Sequence, residues 1–192
     1  VTIEKAGALA NEVFALYEQF GNSDYIGEPV SQLTHMLQAA VLAEKESYEE
    51  EVILGAFFHD IGHLVEFIQP VEKMAGVGVM DHEKMGAEYL LQKGFSERLC
   101  RLVQSHVEAK RYLTFRFPHY YQKLSDASKQ TLVHQGGRMT EQEAICFESD
   151  PDHLLYIKLR EWDDKAKEQN IVLPSLLHYR QMAIRHLMVQ HL

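Results

Sequence analysis

The sequence predicts an all-α fold, read as one domain over residues 1–192. Apolar residues recur at three- and four-residue spacing along nearly the whole chain, the period of amphipathic helices. One segment, 31–45, is apolar almost all round (Leu33, Met36, Leu37, Ala39, Ala40, Val41, Leu42, Ala43), as expected in the middle of a bundle. No internal repeat, low-complexity segment or shift in composition marks a second domain.

Local signals place each element. Residues 3–19 form an amphipathic first helix, which the stretch from Gly21 to Pro29 breaks. The central helix at 31–45 is followed by one over about 50–66, then by a loop over 67–80 that holds Pro70, Gly76 and Gly78. Asp81 is placed to cap the next helix, which closes at Gly94. Ser96 caps a helix that runs to about Tyr112, and 113–121 reads as an aromatic, irregular stretch. A helix near 122–134 ends at Gly136-Gly137, and Thr140 with Glu143 has capping-box spacing for a short helix. Residues 152–168 and 175–190 supply the last two helices.

Composition narrows the function classes. At 192 residues the chain can bury roughly two-thirds of its unfolded surface. Hydrophobic residues make up 46% and charged residues 24%, as in a soluble globular protein. A net charge of −9 argues against non-specific binding to nucleic acid or an anionic membrane, because phosphates would be repelled, though a local basic pocket is compatible with it. Cys100 and Cys146 have no CxxC spacing, so free thiols in a reducing, cytoplasmic compartment are expected. The first residues carry no basic stretch followed by an apolar run, and no apolar run approaches the ~20 residues of a membrane span. Neither a signal peptide nor a membrane span is expected.

Chemistry concentrates at His59-Asp60, in the run Gly55-Ala56-Phe57-Phe58-His59-Asp60-Ile61-Gly62-His63. Two metal-binding side chains stand here in surroundings of core character, and buried polar groups need partners. His35 lies on the central helix, and His63 shares a helix face with His59 four residues away. His82 opens a helix whose inward positions are Met85, Gly86, Tyr89 and Leu90, and His106 follows Leu99, Leu102 and Val103 at helical spacing. Leu155, Leu159, Trp162 and Ala166 form a stripe from whose centre Asp163 lies roughly 70° and Asp164 roughly 170° away. Asp163 is therefore the inward candidate and Asp164 a solvated charge. His119, His134, His153, His178, His186 and His191 lack such context and are read as ordinary hydrogen-bonded histidines. Imidazole and carboxylate without thiolate suit iron, manganese or zinc. Four histidines and two aspartates exceed the needs of one ion and suit two, with a carboxylate such as Asp60 bridging them.

In order and spacing, His35, His59-Asp60 and Asp163 resemble the motif of the HD-domain superfamily. Most of that superfamily consists of metal-dependent phosphohydrolases, and one branch contains mixed-valent diiron oxygenases, with which the added His82 and His106 are consistent. The finer resemblance is to the oxygenases that cleave 2-amino-1-hydroxyethylphosphonate, over roughly residues 22–185. It rests on Asp24-Tyr25-Ile26-Gly27-Glu28, His59-Asp60-Ile61-Gly62-His63, His106-Val107-Glu108-Ala109-Lys110-Arg111-Tyr112, Leu124-Ser125-Asp126-Ala127-Ser128 and Gln135-Gly136-Gly137.

The resemblance implies an HD-type helical bundle with two iron ions, Fe(II) and Fe(III). One would be held by His35, His59 and Asp163, the other by His82 and His106, with Asp60 bridging both. It further implies that Tyr25 occupies the substrate iron when the site is empty, and that Glu28 helps receive the substrate's amino end. His63 would lie near substrate and oxygen as a proton donor, and Lys110, Ser128, Gln135 and Arg160 resemble the residues around the phosphonate. Two of these have independent support. Lys110 lies one helical turn after His106, and Arg160 could add a bidentate contact to a dianion.

The implied partners are a small phosphonate and O2, with the protein a monomer or small homo-oligomer. Hydrolysis of a C–P bond would expel a poor carbanion, whereas oxidising the hydroxyl-bearing carbon makes loss of phosphate easy. The aromatic stretch Tyr112-Leu113-Thr114-Phe115-Arg116-Phe117-Pro118-His119-Tyr120-Tyr121, with Glu28, favours a trimethylammonium group through cation–π attraction. The product would then be glycine betaine in place of glycine, although the same aromatics also suit a packed surface flap. A rival using the same ligands is a phosphohydrolase acting on a nucleotide or phosphate ester through metal-bound water. A displaceable Tyr25 over one metal weighs against it. An inositol-cleaving type of diiron oxygenase and a metal-stabilised binding module are further alternatives.

Overall fold

The computed structural model describes residues 1–25, 27–70 and 79–189, so Ile26, Gly76, Gly78 and His191 lie outside the described residues. Eleven helices occur among those described: α1 (Ile3–Phe20), α2 (Gln32–Lys45), α3 (Glu50–Phe58), α4 (Gly62–Val65), α5 (His82–Gln92), α6 (Glu97–Arg116), α7 (Pro118–Lys123), α8 (Asp126–His134), α9 (Glu141–Ser149), α10 (His153–Lys165) and α11 (Leu176–Val189). A single isolated bridge, Asp24 to Ser31, is the only β-type pairing among them. The fold is all-α, as the periodicity predicts, and no described helix is long and apolar enough to cross a membrane.

Several helix starts follow from capping side chains that satisfy otherwise orphaned N–H groups. Ser31, Ser96 and Ser125 accept from Thr34, Leu99 and Ser128 backbone N–H, and Thr140 with Glu143 forms the expected capping box. Asp81 stands at the expected N-cap position of α5 but makes no capping bond. It adopts a left-handed conformation, φ 53°, and its carboxylate accepts from Lys84 Nζ instead.

Three element boundaries differ from expectation. The helix expected over 50–66 is interrupted after Phe58, and α4 restarts at Gly62. The stretch 113–121 is not irregular: α6 continues to Arg116 because Leu113 and Thr114 face the interior, and Pro118 then starts α7. The helix expected from 122 begins at Asp126, where Ser125 supplies the cap.

Helices α2, α3, α6 and α10 pack on one another, α5 lies against α6 and α4, and α1 and α11 close over α3. An aromatic cluster fixes α3. Phe57, fully buried, stacks on Tyr17 at 4.7 Å, Tyr179 at 4.9 Å and Phe14 at 5.5 Å between ring centroids. Beside it, Trp162 of α10 meets the Tyr48 ring edge at 5.0 Å and donates to Glu46. These contacts fix the end of α3, just before His59 and Asp60, and the stretch of α10 that bears Asp163.

Phe57→Ala is expected to cost about 3–5 kcal/mol, because the rings around it are themselves packed and cannot collapse into the void. Phe117→Ala, at a ring that is 54% exposed, is expected to stay within about 0.5 kcal/mol of wild type. Urea denaturation of both variants checks the contrast.

Candidate metal centre

Five elements deliver six side chains to one buried point: His35 from α2, His59 and Asp60 from the turn after α3, His82 from the start of α5, His106 from α6 and Asp163 from α10. Backbone carbonyls orient the four rings. Nδ1 of His35, His59 and His106 meets the oxygens of Ala166, Ala56 and Val103 at 2.9, 2.8 and 2.8 Å, and Nδ1 of His82 lies 3.3 Å from Val79 O. A carbonyl only accepts, so each Nδ1 carries the proton and each Nε2 is left with a lone pair that could bind a metal ion.

The Nε2 atoms of His35 and His59 are 3.0 Å apart, as are those of His82 and His106. Neutral rings so oriented would aim lone pair at lone pair. Each pair therefore calls for positive charge between its members, from a proton or a shared metal ion. About 3 Å is also the edge expected when two donors bind one ion at about 2.1 Å and right angles. Asp60 stands between the pairs. Its Oδ2 lies 3.4 Å from both His35 and His59 Nε2, and its Oδ1 lies 3.2 and 3.3 Å from His82 and His106 Nε2. Asp163 Oδ1 completes the first cluster at 3.3 Å from His35 and 3.9 Å from His59. The donor set, nitrogen and oxygen without sulfur, fits a hard or borderline cation.

The local electrostatics agree. Burial alone would raise the Asp60 carboxyl, but His59, His106 and His35 outweigh it and hold it well below the usual carboxylate range. Burial likewise opposes charge on His35, yet Asp163 and Asp60 lift it to about 9. The site attracts positive charge.

The interrupted helix explains how neighbours in sequence both reach the site. In a regular helix, His59 and Asp60 would diverge by about 100°. Here Ala56 O is taken by the His59 ring, and the turn is closed by Ile61 N–H to Phe58 O and His63 N–H to Asp60 O. A Cβ at Gly62 would lie 1.9 Å from His82 O, so only glycine lets α4 abut the residue that carries His82. Gly86 packs against the same point.

Beside the centre lies a cavity of about 270 Å³. Its wall brings together Tyr25, Glu28, His63, Lys110, Ser128, Gln135 and Arg160 with Asp60, His82, His106 and Asp163. The Tyr25 ring stacks on His35 at 4.1 Å, and His63 stacks on His82 at 4.1 Å. A nitrogen of His63 also lies within reach of the Asp60 and His82 ligand atoms. Burial, with His82 beside it, pushes His63 down to about 3, so its ring is neutral. Lys110, 3% exposed, donates to Thr131 Oγ1, and burial next to Arg160 pushes it down to about 7.

Arg160 differs from a free anion fork. Its Nη1 donates to Asp163 Oδ2 at 2.7 Å, Nη2 to Asp164 and Ser128, and Nε to the Tyr120 hydroxyl at 3.0 Å. Asp164 is consequently half-buried and paired, which corrects its reading as a solvated charge: the long guanidinium reaches round the helix to it. The stretch 112–121 contributes nothing to the cavity wall among the described residues, where the aromatic rings besides histidine are Tyr25 and Phe67. Of the six histidines set aside, His186 is buried, where it accepts from Ser96 N–H. Sequence reasoning missed Thr131, which shares a helix face with Ser128 three residues earlier, and Lys167, which bonds Glu28 from 139 residues away.

Gly62→Ala is expected to weaken metal binding at least roughly tenfold, since His82 must retreat from the added Cβ. Gly7→Ala, whose Cβ would meet nothing within 4 Å, is expected to leave binding unchanged and to stabilise α1 by about 0.4–1 kcal/mol. Competition with a fluorescent chelator measures the first effect and thermal unfolding the second.

The model of the HD domain family matches residues 33–150, which hold five of the six converging residues, all but Asp163. The chain is 45% identical to uncharacterized protein L432 of Acanthamoeba polyphaga mimivirus, over 92% of this chain and 81% of that one. It is 36% identical to the [1-hydroxy-2-(trimethylamino)ethyl]phosphonate dioxygenase (glycine-betaine-forming) of Leisingera caerulea, over 93% and 90%. It is also 36% identical to the hydroxymethylphosphonate dioxygenase of Gimesia maris, over 90% and 85%. With its buried His/Asp cluster and this similarity along most of its length, the chain belongs to the HD-domain family, as a relative of that family's phosphonate dioxygenases.

Proposed function

We propose that the protein is a mixed-valent diiron oxygenase that cleaves the C–P bond of a small 1-hydroxyphosphonate. The substrates the resemblance names are 1-hydroxy-2-(trimethylammonio)ethylphosphonate and 2-amino-1-hydroxyethylphosphonate, giving glycine betaine or glycine. The observation that carries the reading is the Asp60 carboxylate, with one oxygen toward each histidine pair, next to a cavity that holds a buried lysine. His35, His59 and Asp163 would hold one iron and His82 and His106 the other, with Asp60 common to both. The two irons supply the redox chemistry: one O2 is consumed as RCH(OH)–PO3 becomes RCOOH and phosphate, both oxygen atoms being retained in the products.

The chain's own residues bind and orient. Lys110, steadied by Thr131, presents an ammonium to the phosphonate. Arg160 fixes Asp163 Oδ2, which leaves Oδ1 for the metal, and it approaches the substrate beside Ser128. Without metal, burial and the Asp60 and Asp163 carboxylates raise the Tyr25 hydroxyl well above the ordinary value, and a cation bound beside it would act the opposite way. The Tyr25 ring covers His35, so a bulky ligand at that metal displaces it. His63, being neutral, serves as a hydrogen-bond donor to a bound ligand.

The rival phosphohydrolase would use the same ligands with a water nucleophile, and oxygen dependence separates the two. Iron-loaded, partly reduced protein is given each substrate with and without O2, and phosphate is measured. Release that requires O2 is expected; release that proceeds equally without it would establish hydrolysis instead.

Lys110 gives a second test. Its value of about 7 in the free protein means that it is largely neutral at pH 8, and a bound dianion must raise it. On binding phosphonate, the wild type is therefore expected to take up close to one proton more than Lys110→Met does at pH 8, and almost none more at pH 6, where the lysine is already charged. Calorimetry of both proteins in buffers of different ionisation enthalpy reads this difference, in which the ligand's own ionisation cancels.

A further inference from the structure

Glu28 stands on the cavity wall with its side chain 8% exposed, yet its charge is already matched. Oε1 accepts from Lys167 Nζ at 2.6 Å and from Ser125 Oγ at 2.6 Å. Lys167 follows the end of α10 and Ser125 caps α8, and among the described residues neither lines the cavity. The lysine therefore approaches the carboxylate from outside. The loop that carries Glu28 is seated closely on α8, since a Cβ at Gly27 (φ 81°) would lie 2.7 Å from the Ala127 Cβ. A buried carboxylate without a partner would draw a cation strongly, whereas a carboxylate paired at 2.6 Å presents the cavity with a dipole and no net charge.

This bears on the feature that separates the two named relatives. At equal identity, one acts on a phosphonate with a fixed trimethylamino cation and the other on hydroxymethylphosphonate, which has no far end at all. We propose that Lys167 sets the charge selectivity of the cavity: by neutralising Glu28 from outside, it biases the protein toward 1-hydroxyphosphonates whose far end carries no fixed positive charge. The inference rests on the oxygenase reading, and it runs against the trimethylammonium group that the aromatic stretch 112–121 favours in sequence, since among the described residues that stretch does not line the cavity. Asp24, which is exposed, and Glu66 also line the cavity, and they are constant across the variants below.

The test is the ratio of kcat/KM for 1-hydroxy-2-(trimethylammonio)ethylphosphonate to that for hydroxymethylphosphonate, followed as phosphate release by the iron-loaded full chain. Wild type is expected to favour hydroxymethylphosphonate, the substrate without a cationic end. Lys167→Met exposes an unmatched carboxylate and is expected to move the ratio roughly tenfold or more toward the cationic substrate. Glu28→Gln leaves an unmatched lysine and is expected to move it the opposite way, while Lys167→Arg keeps the charge and the wild-type ratio. A purely structural latch would move both neutralising variants in the same direction, and melting temperatures show that each is folded. Phosphate release with ratios that do not diverge between Lys167→Met and Glu28→Gln overturns the inference and leaves the oxygenase reading standing. So does a wild type that prefers the cationic substrate. No release from either substrate overturns both.

Discussion

Asp60 carries one negative charge into a space where four imidazoles converge, and the geometry of the centre depends on how its two oxygens are shared. Each histidine pair would be untenable alone, with nitrogen facing nitrogen at 3.0 Å in the interior. Placed between them, the carboxylate offers one oxygen to each side, so that two cations can be held without a second bridging group from the protein. Asp163 adds a further oxygen on the His35 side only. The cluster is thus asymmetric, with His35, His59 and Asp163 on one side of the carboxylate and His82 and His106 on the other.

The fold serves this arrangement by fixing backbone more than side chains. Carbonyls of Ala56, Val103 and Ala166 orient three of the rings, and a carbonyl cannot move without its helix. The aromatic packing of Phe57 immobilises the last turn of α3, and Gly62 lets α4 and α5 touch at His82. Precision at the converging side chains is therefore inherited from packing one residue layer away. The same buried setting keeps His63 neutral and depresses Lys110 to about 7, where its protonation responds to what binds in the cavity.

Much of this was legible in the sequence. The central helix announced itself by apolar residues on every face, and helical spacing separated Asp163 from Asp164 correctly as to which points inward. Helix starts at Ser31, Ser96 and Thr140 were written in short capping patterns. The break between α3 and α4 was not legible, because His59 closes its turn by bonding a carbonyl and Gly62 yields to a backbone 20 residues away in sequence. The partners of Glu28 and Asp164 were hidden for a related reason. Ion pairs such as Glu28 with Lys167 depend on where elements dock, and local pattern does not encode docking. The aromatic stretch misled because composition shows that rings cluster but not which way they face; most of them pack on α9, α10 and the surface.

Anomalous diffraction at the iron edge from crystals of the iron-loaded protein tests the central claim most directly. Two peaks are predicted on opposite sides of the Asp60 carboxylate, about 3.5–4 Å apart, one among His35, His59 and Asp163 and the other between His82 and His106. A single peak at full occupancy, or a second ion bound away from Asp60, would contradict the bridged two-metal centre on which the account stands.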